Sequence, residues 1–354
     1  MVNEFASPLR IAGCEINNGF PTFLIAEAGV NHNGDPEIAK QLVEVAAAAG
    51  ADAVKFQTFR AEELASFDAP KAEYQKRTTE QAESQLEMLK RLEISAETHR
   101  ELSEFAKQRN IIFLSSPFDP ESVDLLTRLG VPAFKIPSGE ITNWPFLEYV
   151  AGKERPIIMS TGMSDLTEVK QAVGVLRGAG CRELALLHCT SNYPAGAETS
   201  NLRAMETLRE EFGVPVGLSD HTLGTEVAIA AVALGARILE KHFTLDRTLP
   251  GPDHAASLDP DELQEMVKAI RNVEAALGDG CKRPTPEEME VRHVARRSIL
   301  TRQSLPAGTR IAKEMLDFKR PGSGIPPSDL ARLIGKTTIR DLHAGAQLRF
   351  EDVA

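Results

Sequence analysis

Lys55 and Gln57, and again Glu240 and His242, stand two residues apart inside short apolar runs of this 354-residue chain. In a β-strand that spacing sends both side chains of a pair to one side. Comparable runs end at Glu27 with Asn31-His32-Asn33-Gly34 behind it, at Ser115-Ser116-Pro117, at Lys135 with Ser138 and Glu140, and at Ser160-Thr161-Gly162. Others end at His188 with Thr190, Ser191, Asn192 and Tyr193, and at Ser219-Asp220-His221. Two or more lysines with several hydroxyls facing one cavity suit an anion that carries phosphate and carboxylate, because ammonium groups make charge-assisted hydrogen bonds to both. His221 and His242 could converge on one divalent cation, with Asp220, Glu27 and Asp253 as oxygen donors close by. Mixed imidazole and oxygen ligands admit Mn, Mg or Co.

Other reactive types carry less. His99 sits in a charged helical stretch and reads as a surface residue, whereas His32 and His254 fall in loops where substrate contact is open. The four cysteines form no CxxC pair and flank no histidine at metal-finger spacing, so they are expected to be free thiols. Cys189 has no flanking basic residue to activate it and reads as a buried strand residue.

The elements that must position these residues alternate along the chain. Aliphatic and β-branched runs at 22–29, 53–58, 111–116, 133–140, 156–162, 183–190, 214–220 and 236–243 predict eight strands. Helical patterns at 36–49, 167–178, 201–211 and 260–277 lie between or after them, several opened by Asp, Ser or Thr. Alternating strands and helices give a parallel sheet with right-handed crossovers. Eight strands over some 250 residues fit a closed (β/α)8 TIM barrel of the α/β class better than an open sheet, with residues 1–280 as the catalytic domain. In such a barrel the site lies at the C-terminal strand ends, where the polar residues collect. A long polar insertion at 59–95 extends the loop after the second strand and is expected to cover a substrate. Residues 281–295 read as a linker, and 296–354, with runs RSILTR, LDFKR and TTIRDL broken by Gly and Pro, as a small β-rich domain.

The composition narrows the function classes. With 40 Lys+Arg against 51 Asp+Glu the chain carries −11, which argues against a nucleic-acid binder. No apolar run reaches the length of a membrane helix and the amino terminus lacks a cleavable leader pattern, so no membrane association and a cytoplasmic location are expected. The charge is uneven: residues 281–354 carry +5 and the remainder −16, and the two parts attract.

The runs AEAGVNHNG (26–34), KFQTF (55–59), KIPSGE (135–140), STGM (160–163), LHCTSNYP (187–194), GLSDHT (217–222), EKHFTLD (240–246), GPDHAAS (251–257) and KRPGSG (319–324) together resemble the sialic acid synthase family. The C-terminal part resembles that family's antifreeze-like, β-clip, or SAF, domain. The resemblance implies condensation of phosphoenolpyruvate with an N-acetylated amino hexose, giving a nine-carbon 2-keto sugar acid and phosphate. It implies that Lys55, Ser116, Lys135, Ser138 and Ser219 hold phosphoenolpyruvate, that Gln57, Tyr193, Asn192 and Asp253 contact the sugar, and that His221 and His242 bind a divalent metal, Mn2+ first with Mg2+ or Co2+ as alternatives. It also implies a homodimer in which the SAF domain caps the partner's barrel and Arg320 reaches the partner's sugar pocket. Glu140 is the expected proton relay and Glu27 the alternative. The chain reads Ser115-Ser116-Pro117-Phe118 where family members often have Ser-Thr-Pro-Phe, which keeps the hydroxyl. The acceptor is N-acetylmannosamine or a diacetamido-trideoxy hexose, the latter giving legionaminate or pseudaminate.

Two other classes compete. A Schiff-base aldolase would use Lys55, Lys135 or Lys241 as nucleophile toward pyruvate and need no metal. A non-catalytic sugar-binding protein would use the small domain for recognition.

Overall fold

The computed structural model describes residue 5, residues 8–80 and residues 83–354, so Gln81 and Ala82 of the long insertion lie outside the described residues. These residues divide into two compact units, Met1–Gly278 and Asp279–Ala354. In the first, strands β1 (Leu9–Ile11) and β2 (Cys14–Ile16) form an antiparallel hairpin. Then come eight parallel strands: β3 (Phe23–Gly29), β4 (Ala53–Thr58), β5 (Ile112–Pro117), β6 (Phe134–Ile136), β7 (Ile157–Ser160), β8 (Leu184–Cys189), β9 (Val216–Asp220) and β10 (Ile238–His242). Their order is β5-β4-β3-β10-β9-β8-β7-β6, and β5 packs beside β6, so the sheet curls into a near-closed TIM-like barrel.

All eight expected strands are present, with one revision. The fourth run, 133–140, is strand only over Phe134–Ile136. Pro137 has no amide hydrogen for the ladder, and Ser138–Glu140 follow as a 3-10 turn. The helices obey their caps. Asp35 accepts from the amides of Glu37 and Ile38, Pro36 opens the helix Pro36–Ala49, and Gly50 closes it at φ 81°. The spacing of Ala39, Leu42, Val43 and Ala46 puts one face against the barrel, where all four are buried. Between β4 and β5 the insertion folds as helices Ala61–Leu64, Glu73–Thr78 and Gln85–Leu92, the last anchored by Met88 and Leu92 against Val30 and Phe59.

The barrel floor is apolar. Phe23, Ile25, Ala53, Leu114, Ala133, Ile158, Ala185, Leu187 and Ile238 form one buried cluster with Leu9, Ile11 and Ile16, so the β1-β2 hairpin plugs that end. No helix among the described residues is long and apolar enough to cross a membrane.

The second unit pairs β11 (Ser298–Thr301) antiparallel with β12 (Leu316–Lys319) over a core that includes Ile299, Leu305, Ile311, Leu333 and Leu348. The TTIRDL run forms no strand: Thr337, Thr338 and Leu342 make isolated bridges to Arg310, Val353 and Leu305. Residues read as linker contain a helix, Pro286–Ala295, capped by the Thr285 side chain with Glu288 reciprocating.

Candidate active site

Strand alternation builds the site directly on the floor. Phe23 and Ile25 are followed at the next inward position by Glu27, Ala53 by Lys55, Leu114 by Ser116, Ala133 by Lys135, Ile158 by Ser160, Leu187 by Cys189, and Ile238 by Glu240 and then His242. Ser219 faces inward with them, its hydroxyl donating to Glu240 Oε1 at 2.8 Å. Every one of these side chains is buried.

Burying charge is costly unless it is paired, and here the pairing is mutual. Lys55 Nζ lies 2.7 Å from Glu27 Oε2 and 3.7 Å from Glu240 Oε2, and donates to Ser116 Oγ at 3.0 Å. Lys135 Nζ lies 3.5 Å from Glu240 Oε1 and donates to Ser160 Oγ at 2.8 Å. Glu240 thus sits between two ammonium groups, and although burial pushes its carboxyl up, Lys135 and Lys55 outweigh this and hold it below the usual carboxylate range. Glu27 has the opposite balance: burial dominates over Lys55, and with Glu240 nearby its carboxyl is pushed up to about 7. Two adjacent carboxylates with divergent environments are how one site keeps an acid and a base at neutral pH. Lys135 is lowered by burial, partly offset by Glu240, whereas the carboxylates around Lys55 overcome its burial and raise it.

His221 and His242 cap this network, ring centroids 5.4 Å apart. The Nδ1–H of His221 donates to the Thr190 carbonyl at 2.9 Å, which leaves Nε2 with its lone pair. His242 Nδ1 is buried without a hydrogen-bond partner, 4.0 Å from Asp253 Oδ2. Burial, with His221 next to it, keeps His242 far below the usual imidazole range and therefore neutral, while burial pushes Asp253 up to about 6. Burial lowers His221 as well, but Cys189, the Thr190 carbonyl and Glu240 outweigh it and raise His221 above the usual imidazole range, so His242 is the neutral partner. A neutral imidazole with an orphaned ring nitrogen, beside a second imidazole whose Nε2 is free of the Thr190 hydrogen bond, fits a divalent cation, which would hold both rings unprotonated at the bound nitrogens. Among the described residues, no three His, Cys, Asp or Glu side chains gather into a metal-holding group. Tyr193 packs on His221 at 4.1 Å between centroids and edge-on to His242, and Tyr74 of the insertion stacks on Tyr193 at 5.0 Å. The insertion therefore reaches the barrel mouth. Gly29 makes room here: at φ +52°, a Cβ would lie 3.3 Å from Glu27 Oε1, 3.4 Å from His242 Cε1 and 3.6 Å from Gln57 Nε2, which also places Gln57 beside the histidine.

The remaining candidates lie as follows. Ser138 accepts from the Gly162 amide at 3.0 Å. Glu140, half-buried in the 3-10 turn, accepts from Asn143 Nδ2 at 2.7 Å, and the ion pairs to the lysines run through Glu27 and Glu240 instead. Asn192 is exposed. Arg320 lies in the second unit, donating to the Ala295 carbonyl at 2.9 Å. Lys241 points away from the barrel interior, 1% exposed and 2.7 Å from Asp220 Oδ2, which removes it as an aldolase nucleophile. His99 is not a surface residue: its helix turns it onto β4, where Nδ1 donates to the Ser95 carbonyl and Nε2 accepts from Thr58 at 2.8 Å. His32 and His254 are fully buried, and His254 bonds Thr244. Cys189 is buried, yet its Sγ lies 3.7 Å from His221 Nδ1, a basic neighbour supplied by the next strand. The sequence set Glu240 and Ser160 among the strand-end residues but gave neither a role in the site. The signal was present: Glu240 shares its face with His242, and Ser160 ends the strand beside Lys135.

Residues 42–282 match the NeuB family and residues 296–354 the SAF domain. The chain is 51% identical to the N,N'-diacetyllegionaminic acid synthase of Legionella pneumophila, covering 94% of each chain. It is 48% identical to the synthase of the same name from Campylobacter jejuni over 90% of this chain and 96% of that one. Among solved structures, the N-acetylneuraminic acid (sialic acid) synthetase of Leptospira borgpetersenii in complex with citrate superposes with a TM-score of 0.72 at 34% identity, covering 81% of this chain and 96% of that chain. With its barrel matched by the family's model and its sequence aligned to those synthases across nearly their whole length, the chain belongs to the NeuB family.

Proposed function

We propose that this enzyme joins carbon 3 of phosphoenolpyruvate to the open-chain aldehyde of an N-acetylated amino hexose and releases phosphate. The observation that carries the reading is the buried Glu27–Lys55–Glu240–Lys135 network, ringed by serine hydroxyls, beneath the paired imidazoles of His221 and His242. With Glu27 only partly ionised near neutral pH, the two lysines outweigh the carboxylates, and the surplus positive charge suits the phosphate and carboxylate of phosphoenolpyruvate. Ser116, Ser160, Ser219 and Ser138 offer neutral hydrogen bonds around it. When bound by His221 and His242, a divalent cation, Mn2+ in this reading, supplies Lewis acidity toward the acceptor's carbonyl, its other ligands coming from water and substrate. Tyr193, Gln57 and Asp253 line the acceptor's side and orient it over the nucleophilic carbon.

Water then adds at carbon 2, and the tetrahedral intermediate expels phosphate by C–O cleavage, the proton of its C2 hydroxyl passing to the departing phosphate, to leave the 2-keto acid. The water loses a proton and the new alkoxide gains one. Glu27, next to Lys55 and with its carboxyl near 7, is the group suited to move them. This shifts the role of first choice from Glu140 to Glu27. The greater identity to diacetyllegionaminic acid synthases than to the sialic acid synthetase supports a diacetamido-trideoxy hexose over N-acetylmannosamine as acceptor. The opposite charges of residues 281–354 and the remainder support a homodimer in which one chain's SAF domain covers its partner's barrel. A cytoplasmic location accords with phosphoenolpyruvate as substrate.

The test is phosphate release from phosphoenolpyruvate with each candidate acceptor, with Mn2+ and again after chelation. Metal-dependent release with one sugar is the expected result. No release with any acceptor, together with borohydride trapping of pyruvate on Lys55 or Lys135, would replace the synthase by the aldolase.

A further inference from the structure

The two histidines face into the barrel, and the residues next to them, Asp220 and Lys241, face out. These two form an ion pair of 2.7 Å with side chains 1% exposed. The pair is more than a salt link between neighbouring strands. Asp220 Oδ1 accepts from both the amide and the hydroxyl of Thr222, at 2.9 and 2.8 Å, while Oδ2 accepts from Lys241. Lys241 Nζ donates in addition to the Thr222 carbonyl. One ammonium group therefore holds the residues on both sides of His221, and its own backbone leads directly into His242.

His221 is also tied from the loop after β8. Its carbonyl accepts from the Ala195 amide at 2.8 Å and its ring donates to the Thr190 carbonyl. Rotation of the turn at 220–222 is thus blocked from two directions, and the ends of β9 and β10 are fixed to each other behind the imidazoles. A buried ion pair is a weak source of stability, because desolvation offsets most of the attraction. Its strength is geometric: each partner also makes hydrogen bonds to Thr222 that hold the turn in one arrangement.

We infer that Asp220 and Lys241 are positioning residues that set the spacing and aim of His221 and His242 for a divalent cation; this rests on the metal reading given above. Groups that orient metal ligands from behind characteristically change affinity by about 10- to 100-fold when removed.

The experiment is calorimetric titration of the full chain with Mn2+ alone, comparing the wild type with Lys241→Met, with the charge-free double variant Asp220→Asn/Lys241→Met, and with His242→Ala. The double variant leaves no unpaired buried charge and so guards against a single variant that fails to fold, which circular dichroism would reveal. The expected result is Mn2+ binding by the wild type that His242→Ala removes and that weakens about 10- to 100-fold in the folded double variant. A purely structural pair would lower stability and leave the Mn2+ affinity of the folded double variant at the wild-type value, and that result overturns the inference alone. A wild type that binds no Mn2+ through His242 overturns the metal reading and this inference with it.

Discussion

Replacing Glu27 by Gln isolates the one carboxyl in the network whose environment favours the neutral form. Its folded value of about 7 against an ordinary 4.5 means that between those pH values the native protein keeps a proton that the unfolded chain has lost. The unfolded state then binds fewer protons, so native stability falls as pH rises through this window and levels off above 7. Each pH unit corresponds to about 1.4 kcal/mol at full slope, and because the slope is full only between the two titrations, the fall between pH 5 and pH 7 is about 2 kcal/mol. Glu240 is ionised in both states over this range and adds no slope, and Asp253 adds the same slope to wild type and variant, which cancels in their difference. Glu27→Gln mimics the neutral carboxyl at every pH. Its stability relative to wild type should therefore rise by about 2.5 kcal/mol from pH 5 to pH 8. Urea unfolding read by the fluorescence of Trp144, the single tryptophan and a barrel residue, reports this directly. Phosphate release should fall by about 10^2- to 10^4-fold in the same variant, the range for loss of a general acid–base group. Stability curves that run parallel from pH 5 to 8 would refute the assignment of a raised carboxyl to Glu27.

His242→Ala should abolish turnover while circular dichroism shows an intact barrel; full activity in metal-free buffer would contradict the metal role of the histidine pair. Tyr193→Ala removes the ring packed on His221 and Tyr74, and should raise the KM for the acceptor about tenfold with the KM for phosphoenolpyruvate unchanged; equal effects on both would place Tyr193 elsewhere in the reaction. Gly217→Ala should destabilise the barrel by about 3 kcal/mol, since a Cβ there would lie 2.0 Å from the Ile238 carbonyl oxygen of the adjacent strand; a urea midpoint equal to wild type would show that β10 yields.

The barrel was legible because its signals are local. Period-two polarity placed Lys55 with Gln57 and Glu240 with His242, and the Asp35-Pro36 and Asp259-Pro260 caps marked helix starts to the residue. What was hidden depends on contacts across the ring. Glu140 and Glu240 look alike in sequence, and only the closure of the sheet, which brings Lys55 and Lys135 to Glu240, separates them. The tertiary burial of His99 on Thr58 is likewise absent from its charged helix. The β1-β2 hairpin was missed because its strands are three residues each, too short for a period to show.

That hairpin has a kinetic consequence. A vessel closed at its floor has one doorway, and traffic through it must queue. Along β10 the inward side chains run from Ile238 at the floor through Glu240 to His242 nearest the opening. A ligand seated between Lys55 and Lys135 lies deeper than one resting on Tyr193 and Asp253, so the deeper ligand has to arrive first, and whatever it becomes can leave only after the ligand above it has moved aside.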